Sequence, residues 1–440
     1  MNVNQQQEVG TAAMLPDLAR DTSPGRVRTT RLLALGLIMA LAFTLRVGAY
    51  LVSPHPVEGA GLAATQAEMA RQIVDRGKWF VVNPKATKLL SSRQTQLNRL
   101  VDPKELNLAQ FDRSTPTQPE IAHMPGVALV LAALWWPTGD ETYASLQWLQ
   151  LLLDTVMVFL VFWIGERLTR NVHVSLLGAL LYAIWPAAIV VDRRPVLDTW
   201  AIFFTIACVG AFVWARERPS SRLRLFSIGL ITGVGIYFRP FVVFLPIALA
   251  LVATPGGGWR RRLVWMAAPT AVALLVLSPW TVRNYYEFHR FIPTRTGLGQ
   301  AVFQGAGLVS GDQQSAKYVH RHAKNATYGT PKYDNVLLGA ALRDIADHPG
   351  PYFRKVVHRA RLLLPCLLVL LVFRRWRSNA LIPVAAAAAT IVPYLLIGDD
   401  TRFYLPAAFA YCILGAMAVV EVGVLLRGKL PRLVRHIRSQ

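Results

Sequence analysis

Charged residues lie near the ends of several apolar stretches of this sequence, where a charge is costly unless it has a partner or a function. A guanidinium matches a phosphate group with two parallel hydrogen bonds, so a phosphate bound at this boundary would explain the arginines. Alternatively, the arginines pair with the nearby carboxylates or extend to the lipid headgroups. The set is Glu58, Asp192, Arg193, Arg194, Asp198, Arg239, Arg283, Asp399, Asp400 and Arg402.

The carboxylates could move protons. Glu58 is the acidic residue closest to the end of the first apolar stretch, and a carboxylate there could act as a general base on a hydroxyl group. It could equally be an ordinary solvated side chain. Glu68 falls in an amphipathic pattern and is expected to face water, while Asp154 and His173 are expected to be structural.

Metal and nucleotide chemistry of the kind found in soluble enzymes has no support in the sequence. Cys208, Cys366 and Cys412 lie in apolar stretches without CxxC or histidine spacing, so they are interpreted as core residues. There is no P-loop, no GxGxxG after a strand and no HExxH helix. No metal site and no required cofactor are predicted, and dependence on a divalent metal is left open.

The composition indicates a membrane protein. Of the 440 residues, 53% are hydrophobic and only 16% are charged, against about 25% charged in soluble domains. The net charge of +22 comes from Lys and Arg clusters between apolar stretches, which is the positive-inside pattern. Membrane lipids rather than nucleic acid are therefore the expected partners of this charge.

The elements that must position the charged residues are about ten transmembrane helices in an all-α polytopic fold. Arg46 lies near the outer end of the first of these helices. Its side chain either has a function within the membrane or extends to the outer interface. Residues 1–30 are expected to be a disordered cytoplasmic N-terminus, 31–426 the membrane domain, and 427–440 a basic cytoplasmic tail. The predicted spans are 32–52, 142–164, 174–191, 196–215, 225–238, 241–254, 263–280, 362–373, 380–397 and 403–426.

The segment 121–137 decides the sidedness. If it crossed the membrane, every later arginine cluster would lie outside, against the positive-inside rule. Pro125 and Gly126 favour a half-helix in the outer interface, and so does the apolar part from His123 to Trp136, which is shorter than the roughly 17 residues needed to span. Both termini are then cytoplasmic, in an inner membrane, and the long loops 53–141 and 281–360 share the extracytoplasmic face. The first of these loops is predicted to carry juxtamembrane helices and to cap an active site.

An ordered series of motifs resembles bacterial members of the dolichyl-phosphate-mannose protein mannosyltransferase-like family, which are C-type membrane glycosyltransferases. The segment "SPWTVRNYYEFHRFIPTRTGLGQAVFQG" resembles the PWxxRN region, and "PTQPEIAHMPGVALVLAALWW" resembles the Pro-Pro-Gly juxtamembrane helix. "GLITGVGIYFRPFVVFLP" and "DDTRFYLP" resemble the Gly-rich helix with Arg-Pro and the Arg-Tyr-x-Leu-Pro segment. The resemblance covers most of residues 30–425.

The resemblance implies a glycosyltransferase that moves a sugar from a polyprenyl-phosphate donor to a glycan, lipid or protein acceptor on the extracytoplasmic side, with inversion expected. Glu58 would be the catalytic base and Asp198 a supporting acid. The motifs also include His123 and Asn284. The residues implied to bind the donor phosphate are Arg239, Arg283, Arg402 and Arg194.

Two alternatives remain open at this point. The first is a catalytically silent relative, because a gapless alignment puts Leu62 or Ala63 where the family has its acid, and Glu58 aligns only after a shift of about four residues. The second is a secondary transporter, which would predict internal repeats and broken helices with a site at mid-membrane. No repeat is visible in the sequence.

Overall fold

The computed structural model describes residues 24–53, 60–111, 116–256, 258–308, 312–372, 377–398 and 401–438. These residues form eighteen α-helices, a few short 3-10 helices and one small antiparallel sheet, in which β1 (Val81–Val82) pairs with β2 (Gln118–Pro119). The helices are α1 Pro24–Val52, α2 Ala60–Arg76, α3 Pro84–Leu97, α4 Gly126–Trp135, α5 Ala144–Thr169, α6 Val172–Ala183, α7 Pro186–Val191, α8 Asp198–Glu217, α9 Arg222–Ile236, α10 Phe244–Ala253, α11 Trp259–Phe288, α12 Leu298–Ala306, α13 Asp312–His322, α14 Pro331–Asp347, α15 Pro349–Ala360, α16 Leu364–Val372, α17 Arg377–Leu395 and α18 Ala408–Arg438.

Six of the described helices are long and apolar enough to cross a membrane, namely α1, α5, α8, α11, α17 and α18. This confirms the predicted all-α polytopic membrane fold. The remaining predicted spans correspond to shorter or broken helices, so the number ten stays a prediction. Residues 174–191 form two helices, α6 and α7, because Pro186 cannot donate the hydrogen bond that would continue the first.

The spans pack around one large apolar core supplied mainly by α5, α6, α8, α10, α17 and α18. The neighbouring helices α9 and α11 approach each other closely at two glycines. A Cβ at Gly229 would lie 2.6 Å from the carbonyl oxygen of Pro269, and one at Gly233 would lie 2.6 Å from Cβ of Val276. Small residues spaced four apart allow such contact between membrane helices.

A second apolar cluster joins the first loop to one end of the spans, through α2, α4 and the beginning of α5. Gly126, the first residue of α4, donates its backbone N–H to the carbonyl of Tyr237 at 2.9 Å. With ten residues, α4 is about 15 Å long, which is half of the apolar thickness of a bilayer. Its length therefore agrees with the predicted half-helix.

The second loop forms its own small helical unit. Helices α12, α13 and α14 enclose an apolar cluster built around Phe303, Tyr333 and Leu337. The loop between α11 and α12 is fixed on the first loop, since the backbone N–H of Thr296 donates to the carbonyl of Ile121 at 3.1 Å. Both predicted outer loops thus meet at the same end of the span bundle.

Candidate functional site

Arg239 is the centre of a buried polar site at this end of the bundle. It follows α9 and precedes Pro240, which favours the extended backbone that it adopts. Its guanidinium forms an ion pair with Asp198 at the beginning of α8 and donates to the hydroxyl of Tyr394 at 3.3 Å. It also lies 5.1 Å above the ring of Phe403, which stacks on Tyr394. Two of the predicted site residues, Arg239 and Asp198, are therefore in direct contact.

A second guanidinium, that of Arg295, extends the positive charge of this site. Arg295 lies in the loop after α11 and donates to the carbonyl of Ala122 at 3.1 Å. Its pKa is lowered, first by burial and then by the charge of Arg239. Its side chain is nevertheless accessible to solvent, although it is surrounded by protein. The sequence prediction did not include Arg295.

The predicted residues Arg283 and Asn284 hold backbone in place. Arg283 donates to the carbonyls of Glu120 and Phe80, at 2.7 Å each, and its guanidinium lies 5.1 Å from the ring of Trp280. Asn284 donates to the carbonyls of Ile292 at 3.0 Å and Thr294 at 3.2 Å. These contacts fix the loop that carries Arg295, and phosphate binding by Arg283 stays a prediction.

The other predicted phosphate ligands lie close to this site along the chain. Arg402 is half-buried and immediately precedes Phe403 in the 3-10 helix Thr401–Ala407. Arg194 is half-buried in the turn between α7 and α8, four residues before Asp198, and its carbonyl accepts a hydrogen bond from Gln150 at 3.2 Å. The predicted base Glu58 and the pair Asp399 and Asp400 lie outside the described residues.

Glu120 and His123 form a pair in the loop before α4. The carboxylate of Glu120 accepts hydrogen bonds from the backbone N–H of His123 at 3.0 Å and from its ring Nδ1 at 3.1 Å. Burial alone would raise the pKa of Glu120, but the hydrogen bonds from His123 and from nearby backbone N–H groups lower it below its ordinary value. The sequence prediction included His123 and missed Glu120.

Glu68 corrects the prediction that this side chain faces water. It is only 1% exposed, because α2 is covered by α3 on one side and α4 on the other. Its carboxylate accepts hydrogen bonds from Arg71 at 3.1 Å and Gln72 at 2.7 Å, and from the backbone N–H of Asn83 at 3.2 Å. It therefore anchors the first loop, and the amphipathic pattern of α2 reflects its packing against α3 and α4.

Arg46 does not reach the outer interface, since it is fully buried between α1, α5 and α7. Its guanidinium forms an ion pair with Asp154 and lies 3.5 Å from the carboxylate of Asp192. Asp192 accepts a hydrogen bond from Thr199 at 2.9 Å, and Thr199 follows Asp198 in the first turn of α8. The cluster thus fixes the beginning of the helix that carries Asp198.

Among the described residues, no group of three or more histidine, cysteine or carboxylate side chains is arranged to hold a metal ion. Dependence on a divalent metal stays untested.

Comparison with known proteins gives a family match over part of the chain. Residues 130–290 match the family model described as dolichyl-phosphate-mannose-protein mannosyltransferase. The match agrees with the resemblance that the sequence motifs indicate.

The curated relatives are arabinosyl transferases named for undecaprenyl phosphate-alpha-4-amino-4-deoxy-L-arabinose. The protein of Pseudomonas paraeruginosa is 28% identical over 190 residues, which are 41% of this chain and 32% of the relative. That of Erwinia tasmaniensis is 27% identical over 136 residues, covering 29% of this chain and 24% of the relative. The alignments span less than a third of each relative.

Solved structures share the fold over most of the chain. ArnT from Cupriavidus metallidurans, bound to undecaprenyl phosphate, has a TM-score of 0.51 at 16% identity, covering 90% of this chain and 60% of that one. The oligosaccharyltransferase AglB from Archaeoglobus fulgidus, in complex with an inhibitory peptide and a dolichol-phosphate, has a TM-score of 0.53 at 13% identity, covering 92% and 52%. The likeness confirms the predicted C-type glycosyltransferase fold.

Proposed function

We propose that this chain is an integral membrane glycosyltransferase that takes a sugar from a polyprenyl-phosphate donor and transfers it to an acceptor on the extracytoplasmic side. The observation that supports this most is that the positive charge of Arg239 acts on Arg295 and lowers its pKa, so that two guanidiniums repel each other at one site. A bound dianionic phosphate would relieve this repulsion. The names of the curated relatives and the lipid phosphates in the two solved structures support the same donor class.

The proposed reaction needs little covalent chemistry from the protein. The acceptor oxygen bonds to the anomeric carbon while the bond from that carbon to the phosphate oxygen breaks, and polyprenyl phosphate leaves with the electron pair. Arg239 and Arg295 stabilise the charge that develops on the leaving phosphate, and fixed donors are most effective where water is scarce. Asp198, Tyr394 and Phe403 hold the guanidinium of Arg239 in place for this task.

The remaining features of the proposal concern the partners and the location. The polyprenyl chain would lie on apolar helix surfaces, and the acceptor is a glycan, a lipid or a protein. The protein would be a multi-pass protein of the inner membrane, with both termini cytoplasmic. Glu58 stays the predicted base in this scheme, and inversion at the anomeric carbon stays an expectation.

Donor binding is tested by thermal unfolding of the purified protein with undecaprenyl phosphate. A ligand that binds only the native state at 100 times its Kd adds about 2.7 kcal/mol of stability. We expect undecaprenyl phosphate to raise the unfolding temperature and undecaprenol, which lacks the phosphate, to raise it much less. The substitution Arg295→Gln should abolish most of this difference. The control Arg290→Gln, an exposed arginine of the same loop, should keep it.

Equal stabilisation by the phosphate and the alcohol would contradict the proposal. Turnover is measured separately, as release of undecaprenyl phosphate from undecaprenyl-phosphate-linked sugars with total membrane glycolipids as acceptor. Binding without release from any donor would instead support the catalytically silent relative.

A further inference from the structure

The pair formed by Glu120 and His123 has the geometry of an oriented imidazole. The carboxylate is 11% exposed and the ring 14%, so the pair is largely shielded from bulk water. An ionised carboxylate can only accept hydrogen bonds, and its contact with Nδ1 therefore places the ring proton on that nitrogen. The other nitrogen, Nε2, then carries a lone pair and is able to accept a proton.

This pair is built into the wall of the proposed phosphate pocket. Between its two members, the carbonyl of Ala122 accepts the hydrogen bond from Arg295 at 3.1 Å. The carbonyl of Glu120 accepts one from Arg283 at 2.7 Å. The charge of Arg283 on α11 interacts with Glu120 and with Glu287, and the charge of Arg295 on the following loop interacts with Asp334 and Tyr328. The segment is thus held on both sides, next to the charge that would bind the leaving phosphate.

We propose that His123, oriented by Glu120, is the general base that activates the acceptor; this inference rests on the proposed function. As the acceptor oxygen bonds to the anomeric carbon, its proton moves to Nε2 of His123, and the imidazolium that forms is stabilised by Glu120. The polyprenyl phosphate leaves toward Arg239 and Arg295. The proton then passes to solvent, and the pair is ready for the next turnover.

The first test asks whether His123 faces the pocket, and it needs no acceptor. Diethylpyrocarbonate modifies neutral imidazole nitrogens, and mass spectrometry measures the modification of each histidine with and without saturating undecaprenyl phosphate. We expect the lipid to protect His123 at least tenfold and to leave His320, an exposed histidine of the second loop, unprotected. If undecaprenyl phosphate stabilises the protein but leaves His123 as reactive as before, the inference fails while the proposed function stands.

The second test is the pH dependence of turnover. General base catalysis contributes about 10²–10⁴-fold, so His123→Gln should lower kcat by at least about 100-fold with little change in KM for the donor. Wild-type kcat/KM should fall toward acidic pH, which is the acidic limb of the pH profile, and this fall should be absent in the residual activity of the variant. Glu120→Gln should reduce kcat less than His123→Gln does, and it should change the pH at which the acidic limb begins. A His123→Gln variant that keeps both the rate and the acidic limb would overturn the inference, and Glu58 would then be the remaining candidate base.

Discussion

Replacement of Arg46 by methionine should destabilise the protein strongly. The guanidinium is fully buried and lies against the carboxylates of Asp154 and Asp192, which are equally buried. It also donates to the carbonyls of Ala42 at 3.1 Å and Ala183 at 2.9 Å. Methionine fills much of the same space but leaves two carboxylates without a cation. Removing one partner of a buried ion pair costs about 3–5 kcal/mol, so we expect a loss of that size for Arg46→Met.

The matched control is Arg31→Met, on the same helix. Arg31 pairs with Glu166 at 3.2 Å, but the two side chains are 41% and 35% exposed, and such exposed pairs contribute about 0–1 kcal/mol. The assay is thermal unfolding of the purified proteins in detergent at a fixed scan rate, because membrane proteins often unfold irreversibly. Adding Asp154→Asn to Arg46→Met should recover part of the loss. Equal unfolding temperatures for Arg46→Met and Arg31→Met would show that the charge at Arg46 is solvated.

Two further predictions concern the first loop. Gly126→Ala should lower the free energy of unfolding by about 1–3 kcal/mol through overpacking, because the new Cβ would lie 2.6 Å from the carbonyl of Tyr237. The control is Gly48→Ala in α1, where nothing lies within 4 Å of the new Cβ. It should be neutral or slightly stabilising in the same unfolding assay. The pKa of Glu120 is lowered below its ordinary 4.5 in the folded protein, so Glu120 contributes stability above pH 4.5 that is lost as the pH falls below it. Glu120→Gln should therefore show a smaller drop in unfolding temperature between pH 5 and pH 3 than the wild type, and an equal drop would contradict the assigned hydrogen bonds to His123.

The long helices could be predicted from the sequence because their signal is local. A continuous apolar stretch of span length is sufficient to locate α1, α5 and α18, although α1 begins eight residues before its predicted start and α18 ends twelve residues after its predicted end. Breaks within a span are harder to predict. Pro186 is equally compatible with a tolerated kink within one span and with the first residue of a new helix. Helix α11 continues to Phe288, eight residues beyond the predicted end at Trp280, and Arg283 and Asn284 in this extension donate hydrogen bonds to the backbone of both loops.

The site depends on contacts between distant parts of the chain, which a single sequence does not report. Asp198 and Arg239 could be predicted because each lies at the end of an apolar stretch. Arg295 could not, since it lies in a polar loop where an arginine is ordinary. The prediction that Glu68 faces water was wrong. An amphipathic helix that is buried on both faces has the same sequence pattern as one that faces water. For Glu120 the available signal was the three-residue spacing from His123.

The distribution of ion pairs explains why an anion is expected at one end of the bundle. At the opposite end, arginines meet glutamates directly, as in the pairs of Arg167 and Arg224 with Glu217. At the site, Asp198 is the carboxylate in contact with Arg239, while Arg295 donates to the neutral carbonyl of Ala122. Asp334 also acts on the charge of Arg295, but among the contacts of the described residues the site holds one ion pair for two guanidiniums. Because such a surplus is unfavourable without a counter-charge, a bound phosphate should stabilise the fold as well as take part in the reaction.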